Sequence, residues 1–380
     1  MRFLLYLLPL IYFLFSLYTT GSSFGYFTSL KPETIIYSSI DLLLSYALFF
    51  CFIYKNKGKL NLIKNELKVN FINLMEGKFF LISFLFFISI FFSYKSLYLS
   101  LSGVTREELN FSGNVSFYMM FFTAFIKAAS PFVFYFKTSL KLKFIFCLSF
   151  ISVMFYSASM AEMLYFLMML VTLYTLFGGI KLKEVLIYLL AIFLLAFSVA
   201  IIGQESRYGN ISFLDFILSI FIKVSRYRSF SAYLSEYIYQ DYSFLNTFYP
   251  FFGYFSNYFN NIFCSSCGSY GSDFVISFHY LGIDTKYNTM YLANVIYPWW
   301  SFFVSSFGIL GLFIKLIYNW IVLQLLLKYK FRLTFCFFIC NLLYISQFNY
   351  FLMTLIGVIN FLIFIFMDLI LKKMNRRSIV

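Results

Sequence analysis

Long apolar segments alternate with short polar connectors along most of this 380-residue chain. A hydrocarbon core about 30 Å thick needs about 20 apolar residues per helix, and this length identifies about ten candidate spans. They cover residues 3–20, 34–54, 79–98, 116–136, 144–159, 162–178, 185–203, 300–325, 333–349 and 351–371. The pattern predicts an all-α, polytopic integral membrane protein that forms a single membrane domain over residues 1–380.

One long interval, residues 204–299, lacks this alternation of apolar spans and short polar connectors. It is rich in tyrosine and phenylalanine, and residues 213–221 form an apolar run suited to lying in the membrane interface as a helix. The interval is therefore predicted to be an ordered loop at the membrane surface. Most of the chemistry of the protein is expected there.

Composition supports a membrane location. Hydrophobic residues make up 62% of the chain and charged residues 12%, with a mean hydropathy of +0.84, whereas soluble domains carry about 25% charged residues. The net charge of +14 arises in short connectors rather than on a solvated basic domain, so nucleic-acid binding is not expected. The first 20 residues look like a signal peptide, but the many later spans favour an uncleaved first helix.

Lysine and arginine residues lie mainly in alternate connectors, which predicts the orientation of the chain. The basic connectors follow the second, fourth, sixth and eighth predicted spans, and a basic segment ends the chain; they begin at Lys55, Lys137, Lys181, Lys328 and Lys372. Because such connectors stay in the cytoplasm, both termini are predicted to be cytoplasmic and the long interval extracytoplasmic.

Arginines on the outer side are exceptions to this rule and are candidates for binding an anion. Arg106 lies beside Glu107 after the third span, and Arg207, Arg226 and Arg228 lie in the long interval. A planar guanidinium binds a phosphate or diphosphate through paired hydrogen bonds. Pairing with neighbouring acids and ordinary lipid headgroup binding are the alternatives.

The long interval also contains possible proton acceptors. His279 is the one histidine of the chain, and imidazole is the side chain best suited to take a proton near neutral pH. A packed interfacial role is the alternative. One histidine with Cys264 and Cys267 is an incomplete zinc set, so no metal site is predicted. For the two cysteines, a small disulfide loop or free thiols are favoured over redox catalysis.

Ionisable residues also occur inside predicted spans, where burial is costly and each is a functional candidate by default. They are Asp41, Lys127 and Lys315. The long stem of Lys315 could instead carry its charge to the inner face of the membrane. Amide side chains are predicted to join helices through hydrogen bonds, namely Asn341, Gln347 and Asn360.

Motifs near the end of the long interval resemble a known family. The chain reads Lys-Tyr-Asn-Thr-Met-Tyr over residues 286–291, then Trp299, then Ser-Ser-Phe-Gly-Ile-Leu-Gly over residues 305–311. With the loop at 105–108, the number of spans and the late position of the long interval, this order resembles the bacterial oligosaccharide repeat-unit polymerases (Wzy-type O-antigen and capsule polymerases).

The resemblance implies a GT-C-like fold and metal-independent glycosyl transfer without a cofactor at the outer face of the bacterial inner membrane. The donor would be a glycan on undecaprenyl diphosphate, and the acceptor a sugar hydroxyl of the next lipid-linked repeat unit. It implies diphosphate binding by Arg106, Arg207, Arg226 and Arg228, proton transfer to His279, Glu107 or Glu236, and substrate contacts from Asn288 and Thr289. The implied partners are membrane lipids, a flippase and a chain-length regulator.

Three other functions remain open. A ligase that moves finished glycan to another acceptor shares this topology and chemistry. A flippase for lipid-linked oligosaccharides belongs to a different class, which usually has more spans, internal halves and short loops. A non-catalytic membrane partner is the third alternative. The single long loop favours the polymerase.

Overall fold

The structure is a computed structural model that describes residues 6–11, 14, 30–101, 117–136, 138–157, 161–179, 235–236, 238, 247–256, 279–284, 289–293 and 297–377. These residues are predominantly helical, which confirms the predicted class. The helices are α1 Pro32–Gly77, α2 Phe79–Leu101, α3 Phe117–Tyr135, α4 Leu140–Ser157, α5 Ala161–Phe177, α6 Tyr249–Phe252, α7 Trp299–Phe307, α8 Leu310–Lys328, α9 Arg332–Leu343 and α10 Leu355–Arg377. A 3₁₀ turn, Ile345–Gln347, follows α9.

Four described helices are long and apolar enough to cross a membrane, namely α1, α3, α8 and α10. Shorter apolar helices cover Phe79–Lys95, Glu162–Phe177 and Arg332–Gln347. The described residues therefore contain fewer spans than the sequence predicted. Predicted span 185–203 lies outside them, and only residues 6–11 and 14 of span 3–20 are described.

Aromatic side chains fill the interior of the helix bundle and also cover its outer surface. Inside, rings from different helices pack in pairs, such as Phe71 with Phe132 and Phe52 with Phe335. Outside, α2 exposes a row of large apolar side chains that includes Phe87. An apolar exterior of this kind suits a helix surrounded by lipid.

The first long helix continues through the predicted connector 55–78. Its 46 residues span about 69 Å, more than twice the hydrocarbon core. Apolar residues recur there at the helical spacing and are buried, namely Leu60, Ile63, Leu67, Phe71 and Leu74. This face packs across the ends of other helices: Lys64 donates to the carbonyl of Phe177, and Glu66 pairs with Arg332. The connector prediction is wrong because the lysines belong to an amphipathic helix.

Predicted span 300–325 is a helical hairpin rather than one helix. The chain reverses at Gly308, whose φ of 60° is in the left-handed region, and α8 then packs back along α7. A Cβ on Gly311 would lie 2.1 Å from the carbonyl oxygen of Phe303, so only glycine permits this approach. The ring of Trp299, at the far end of α7, lies 6.0 Å from the ring of Tyr318.

Two pieces of the long interval are buried in the bundle instead of lying on its surface. Tyr249 in α6 and Tyr297 just before α7 are fully buried. A backbone hydrogen bond of 2.8 Å runs from Tyr254 to Leu352 in the segment before α10. The interval is therefore anchored into the membrane domain at both of these places.

A two-stranded antiparallel hairpin lies within the long interval and was not predicted. Strand β1 is His279–Asp284 and strand β2 is Thr289–Ala293. His279 pairs with Ala293, and Asp284 pairs with Thr289. The tyrosine, isoleucine and threonine of these segments favour extended structure.

Candidate functional site

A buried ion pair connects α1 with α8. The Lys315 Nζ atom lies 2.6 Å from Oδ1 and 2.8 Å from Oδ2 of Asp41, and the Nε2 atom of Gln347 donates to Asp41 Oδ2 at 2.7 Å. Asp41 and Lys315 are each 1% exposed. The carboxylate therefore receives three hydrogen bonds from two side chains that lie far from it in sequence.

This cluster also fixes the short helix α7. The Lys315 ammonium lies 5.3 Å from the centre of the Trp299 ring, which is within the range of a cation–π interaction. Trp299 stacks on Tyr350 at 5.4 Å with only 5° between the ring planes, and its Nε1 atom donates to the carbonyl of Pro250 at 2.9 Å. The cluster thus joins the anchored part of the long interval to the bundle.

The structure decides between the alternatives for several intramembrane residues. Lys315 pairs with Asp41 inside the bundle, which is inconsistent with the alternative that its stem carries the charge to the inner face. Lys127 forms an ion pair with Glu162 of α5. Gln347 joins two helical segments as predicted, whereas Asn341 donates to a carbonyl of its own helix, α9.

Polar residues continue from Asp41 toward the N-terminus of α1 along one buried face. Thr34, Ser38, Asp41 and Ser45 are all buried and follow each other at spacings of three and four residues, which places them on the same side of the helix. Thr34 precedes Asp41 by seven residues, or about 10 Å along the axis. A polar track therefore leads from the start of α1 to the ion pair.

Glu236 of the long interval lies at the start of this track. Its Oε1 atom accepts hydrogen bonds from the Lys31 backbone N–H at 2.9 Å and from the Thr34 hydroxyl at 2.8 Å. Two residues later, the carbonyl of Ile238 accepts a hydrogen bond from Ser305 of α7 at 3.2 Å. Glu236 and Ile238 therefore bridge α1 and the α7–α8 hairpin.

Glu236 makes its contacts at the N-terminus of α1. A carboxylate at a helix N-terminus satisfies N–H groups that have no partner within the helix and interacts well with the helix dipole. The same contacts hold the side chain in one orientation, as a positioned proton acceptor or docking residue requires. Its catalytic role stays a prediction.

Two other predicted site residues lie on the β-hairpin, at opposite ends. His279 begins β1, whereas Thr289 begins β2 opposite Asp284, the last residue of β1. Since a strand rises about 3.3 Å per residue, the backbones of His279 and Thr289 are roughly 15 Å apart. The hairpin does not bring these two positions together.

The remaining predicted site residues fall outside the described part of the chain, namely Arg106, Glu107, Arg207, Arg226, Arg228 and Asn288. Cys264 and Cys267 also lie outside it. Within the residues that the structure does describe, no three histidine, cysteine or acidic side chains come together as metal ligands would.

Sequence reasoning identified Asp41, Lys315 and Gln347 separately but missed that they form one cluster. It missed the role of Trp299 as well, because aromatic residues are too frequent in this chain to be informative one by one. The available signal was the charge pattern. A single charge inside a span is costly in lipid, so an acid in one span and a base in another are expected to pair.

The chain matches no protein-family model, no curated protein and no solved structure. Its apolar helices and buried polar contacts are those of a helical membrane protein.

Proposed function

We propose that this protein polymerises oligosaccharide repeat units carried on undecaprenyl diphosphate, by glycosyl transfer at the outer face of the bacterial inner membrane. The product is an O-antigen or a capsular polysaccharide. The complete protein would have about ten spans in a GT-C-like arrangement, with both termini in the cytoplasm. The main support is the resemblance in the long interval and in the glycine-containing turn after it.

One structural observation supports this proposal above the others. The long interval, which carries three of the four candidate arginines, is seated on the membrane domain by Glu236, by α6 and by the residues before α7. An enzyme that acts on a lipid-linked substrate needs its loop held firmly against the membrane domain, because the reacting groups must stay close to their productive geometry. The turn at Gly308 and the close approach at Gly311 give the matching motif a physical role.

The reaction assigns a task to each group of residues. A hydroxyl oxygen of the acceptor sugar attacks the anomeric carbon of the donor glycan, and the bond from that carbon to the diphosphate oxygen breaks. Arg106, Arg207, Arg226 and Arg228 stabilise the negative charge on the departing undecaprenyl diphosphate. His279, Glu107 or Glu236 takes the proton of the attacking hydroxyl, and Asn288 and Thr289 contact the sugars.

The arginine variants test the proposal directly. In a strain that lacks the gene, plasmid-encoded Arg207→Ala and Arg226→Ala should lose the ladder of long glycans on a gel, while normal amounts of protein remain in the membrane. Arg207→Lys and Arg226→Lys keep the charge but lose the paired hydrogen bonds, so they should recover part of the ladder. A full ladder from both alanine variants would exclude the proposed role.

A matched set of variants separates proton transfer from docking at Glu236. Glu236→Gln keeps an oxygen that can accept from Lys31 and Thr34 but removes the basic carboxylate. Thr34→Val keeps the carboxylate and removes one docking contact. If Glu236 is the base, Glu236→Gln abolishes the ladder and Thr34→Val does not; a normal ladder from Glu236→Gln assigns the base to another residue.

A second candidate is a transporter of lipid-linked oligosaccharides. Discontinuous helices beside intramembrane charges mark substrate sites in many transporters, and the α7–α8 hairpin lies beside Asp41 and Lys315. Purified protein in liposomes with a labelled lipid-linked repeat unit distinguishes the two. Longer glycan indicates the polymerase, whereas unchanged glycan that moves between leaflets indicates the transporter.

A further inference from the structure

Five aromatic side chains form a stripe along the outer surface of α2. They are 61–89% exposed, namely Phe80, Phe84, Phe87, Phe91 and Tyr94. Their spacing alternates between four and three residues, so the stripe follows a 3.5-residue repeat and stays on one side of the helix. It extends about 21 Å along the axis, which is most of the hydrocarbon core of a membrane. We call these five residues the aromatic seam.

Hydrogen bonds on the opposite side of α2 fix the direction in which the seam points. Ser89 and Ser93 are buried, and their Oγ atoms lie 3.1 and 2.6 Å from the Oγ atom of Ser152 in α4. The hydroxyl of Tyr118 in α3 donates to the carbonyl of Leu85. The serines of α2 thus face the bundle, and a rotation that turned the seam inward would break these hydrogen bonds.

The seam differs in composition from the other exposed surfaces of the bundle. The helices α8 and α10 are both long and apolar enough to cross a membrane. Each exposes five large apolar side chains, of which only one is aromatic, Phe313 on α8 and Phe366 on α10. The other four on each helix are leucine or isoleucine. The abundance of aromatic residues in the whole chain therefore does not explain the seam.

A 3.5-residue repeat is the pattern of a helix that packs lengthwise against another helix. Side chains at these positions insert between those of the facing helix in a left-handed pair. Copies of one membrane protein insert in the same orientation, so a two-fold axis along the membrane normal sets the seams of two copies side by side and parallel. Each ring then faces the same residues of the other copy, which makes the seam complementary to itself.

The seam is large enough for a stable dimer. Because a covered phenylalanine or tyrosine buries roughly 200 Å², the exposed fractions correspond to about 700 Å² per copy. Two copies would bury about 1,400 Å², which is within the range of specific interfaces. Acyl chains cover apolar area equally well, so area alone does not favour protein over lipid. Packing of rings against rings adds attraction beyond the buried area, and acyl chains cannot supply it.

We propose that this protein forms a dimer in the membrane, in which the aromatic seams of two copies pack against each other around a two-fold axis along the membrane normal. Phe84, Phe87 and Phe91 lie at the centre of this interface, with Phe80 and Tyr94 at its ends. The dimer does not depend on the proposed glycosyl transfer, because none of the candidate site residues belongs to the seam.

Cross-linking between identical positions tests the interface, because only a second copy can present the same residue. Variants without the six native cysteines carry Phe87→Cys or Phe91→Cys in the seam, or Ile317→Cys or Ile321→Cys on the exposed side of α8 as controls. Mild oxidation of native membranes should link the two seam variants into dimers on a non-reducing gel and leave the two controls monomeric. Equal cross-linking at all four positions, or none in the seam, would overturn the proposal.

Counting the copies in dilute liposomes measures the affinity of the dimer. Fluorescently labelled wild-type protein should bleach in two steps. Combined Phe87→Leu and Phe91→Leu substitutions keep apolar surface but remove ring packing, so the dissociation constant should rise about tenfold. Combined Ile317→Leu and Ile321→Leu substitutions are the matched control and should leave it unchanged. Single-step bleaching of the wild-type protein, or equal weakening by both pairs of substitutions, would show that the seam is not a dimer interface.

Discussion

Among the residues that the structure describes, Asp41 and Lys315 form a fully buried ion pair, so substitution of either one is expected to lower the stability of the protein strongly. The bond itself contributes little net stability, since both groups lose their hydration on burial. Removal of one partner is different, because it leaves the other charge buried without compensation. The same reasoning applies less strongly to Lys127 and Glu162, whose side chains are partly exposed.

Asp41→Leu and Lys315→Met should each destabilise the protein by about 3–5 kcal/mol, whereas the double variant should recover most of this loss. The reason is that the double variant replaces two charges by apolar groups of similar size. Thermal unfolding in detergent measures the effect. Lys57→Met, at an exposed lysine of α1, is the control and should change stability little. A double variant no more stable than the worse single variant would contradict this account.

Among elements, the reversal between α7 and α8 explains why hydropathy misread this region. The residues on both sides are apolar, so their average gives one span of 26 residues over 300–325. Hydropathy carries no information on direction, and the turn depends on two glycines. The extension of α1 shows the converse error. Its lysines lowered the average below the threshold for a span, although Leu60, Ile63 and Leu67 already had the spacing of a helix.

Gly311→Ala should destabilise the protein by about 1–3 kcal/mol, because the new Cβ would lie 2.1 Å from the Phe303 carbonyl oxygen and force α7 and α8 apart. Gly58→Ala is the matched control: this glycine of α1 has no atom within 4 Å of the new Cβ, and alanine is the better helix former by about 1 kcal/mol. Melting temperatures of both variants should move in opposite directions. A shift in the same direction would refute the close packing.

At the scale of the whole molecule, the sequence was sufficient for the helical class and for most helix positions, because burial in lipid imposes a strong periodicity and length. For the pairing of Asp41 with Lys315, the buried opposite charges were the one signal in the sequence. The contact of Glu236 with Thr34 had no such signal, since residues more than 200 positions apart carry no local information on contact. The buried parts of the long interval were missed for a related reason: aromatic segments fit an interface and an interior equally well.

Orientation is a property of the whole molecule and has its own test. In a variant without the six native cysteines, Lys141→Cys and Lys330→Cys should react with a membrane-impermeant maleimide only after spheroplasts are opened. Phe248→Cys, in the long interval, should react in intact spheroplasts. Ser301→Cys, at a fully buried position, should not react in either case. Labelling of positions 248 and 330 from the same side would exclude the proposed topology.

The distance in sequence between Asp41 and Lys315 has a consequence for synthesis. The two residues are 274 positions apart, so at about 5–20 residues per second the acid is made roughly 15 to 55 seconds before its partner. During that time the nascent helix must keep a carboxyl group in lipid, at a cost of about 2.5–3.5 kcal/mol. Chains that stop short of residue 315 therefore carry an unmatched acid, and we expect them to be less stable in the membrane than the full-length chain.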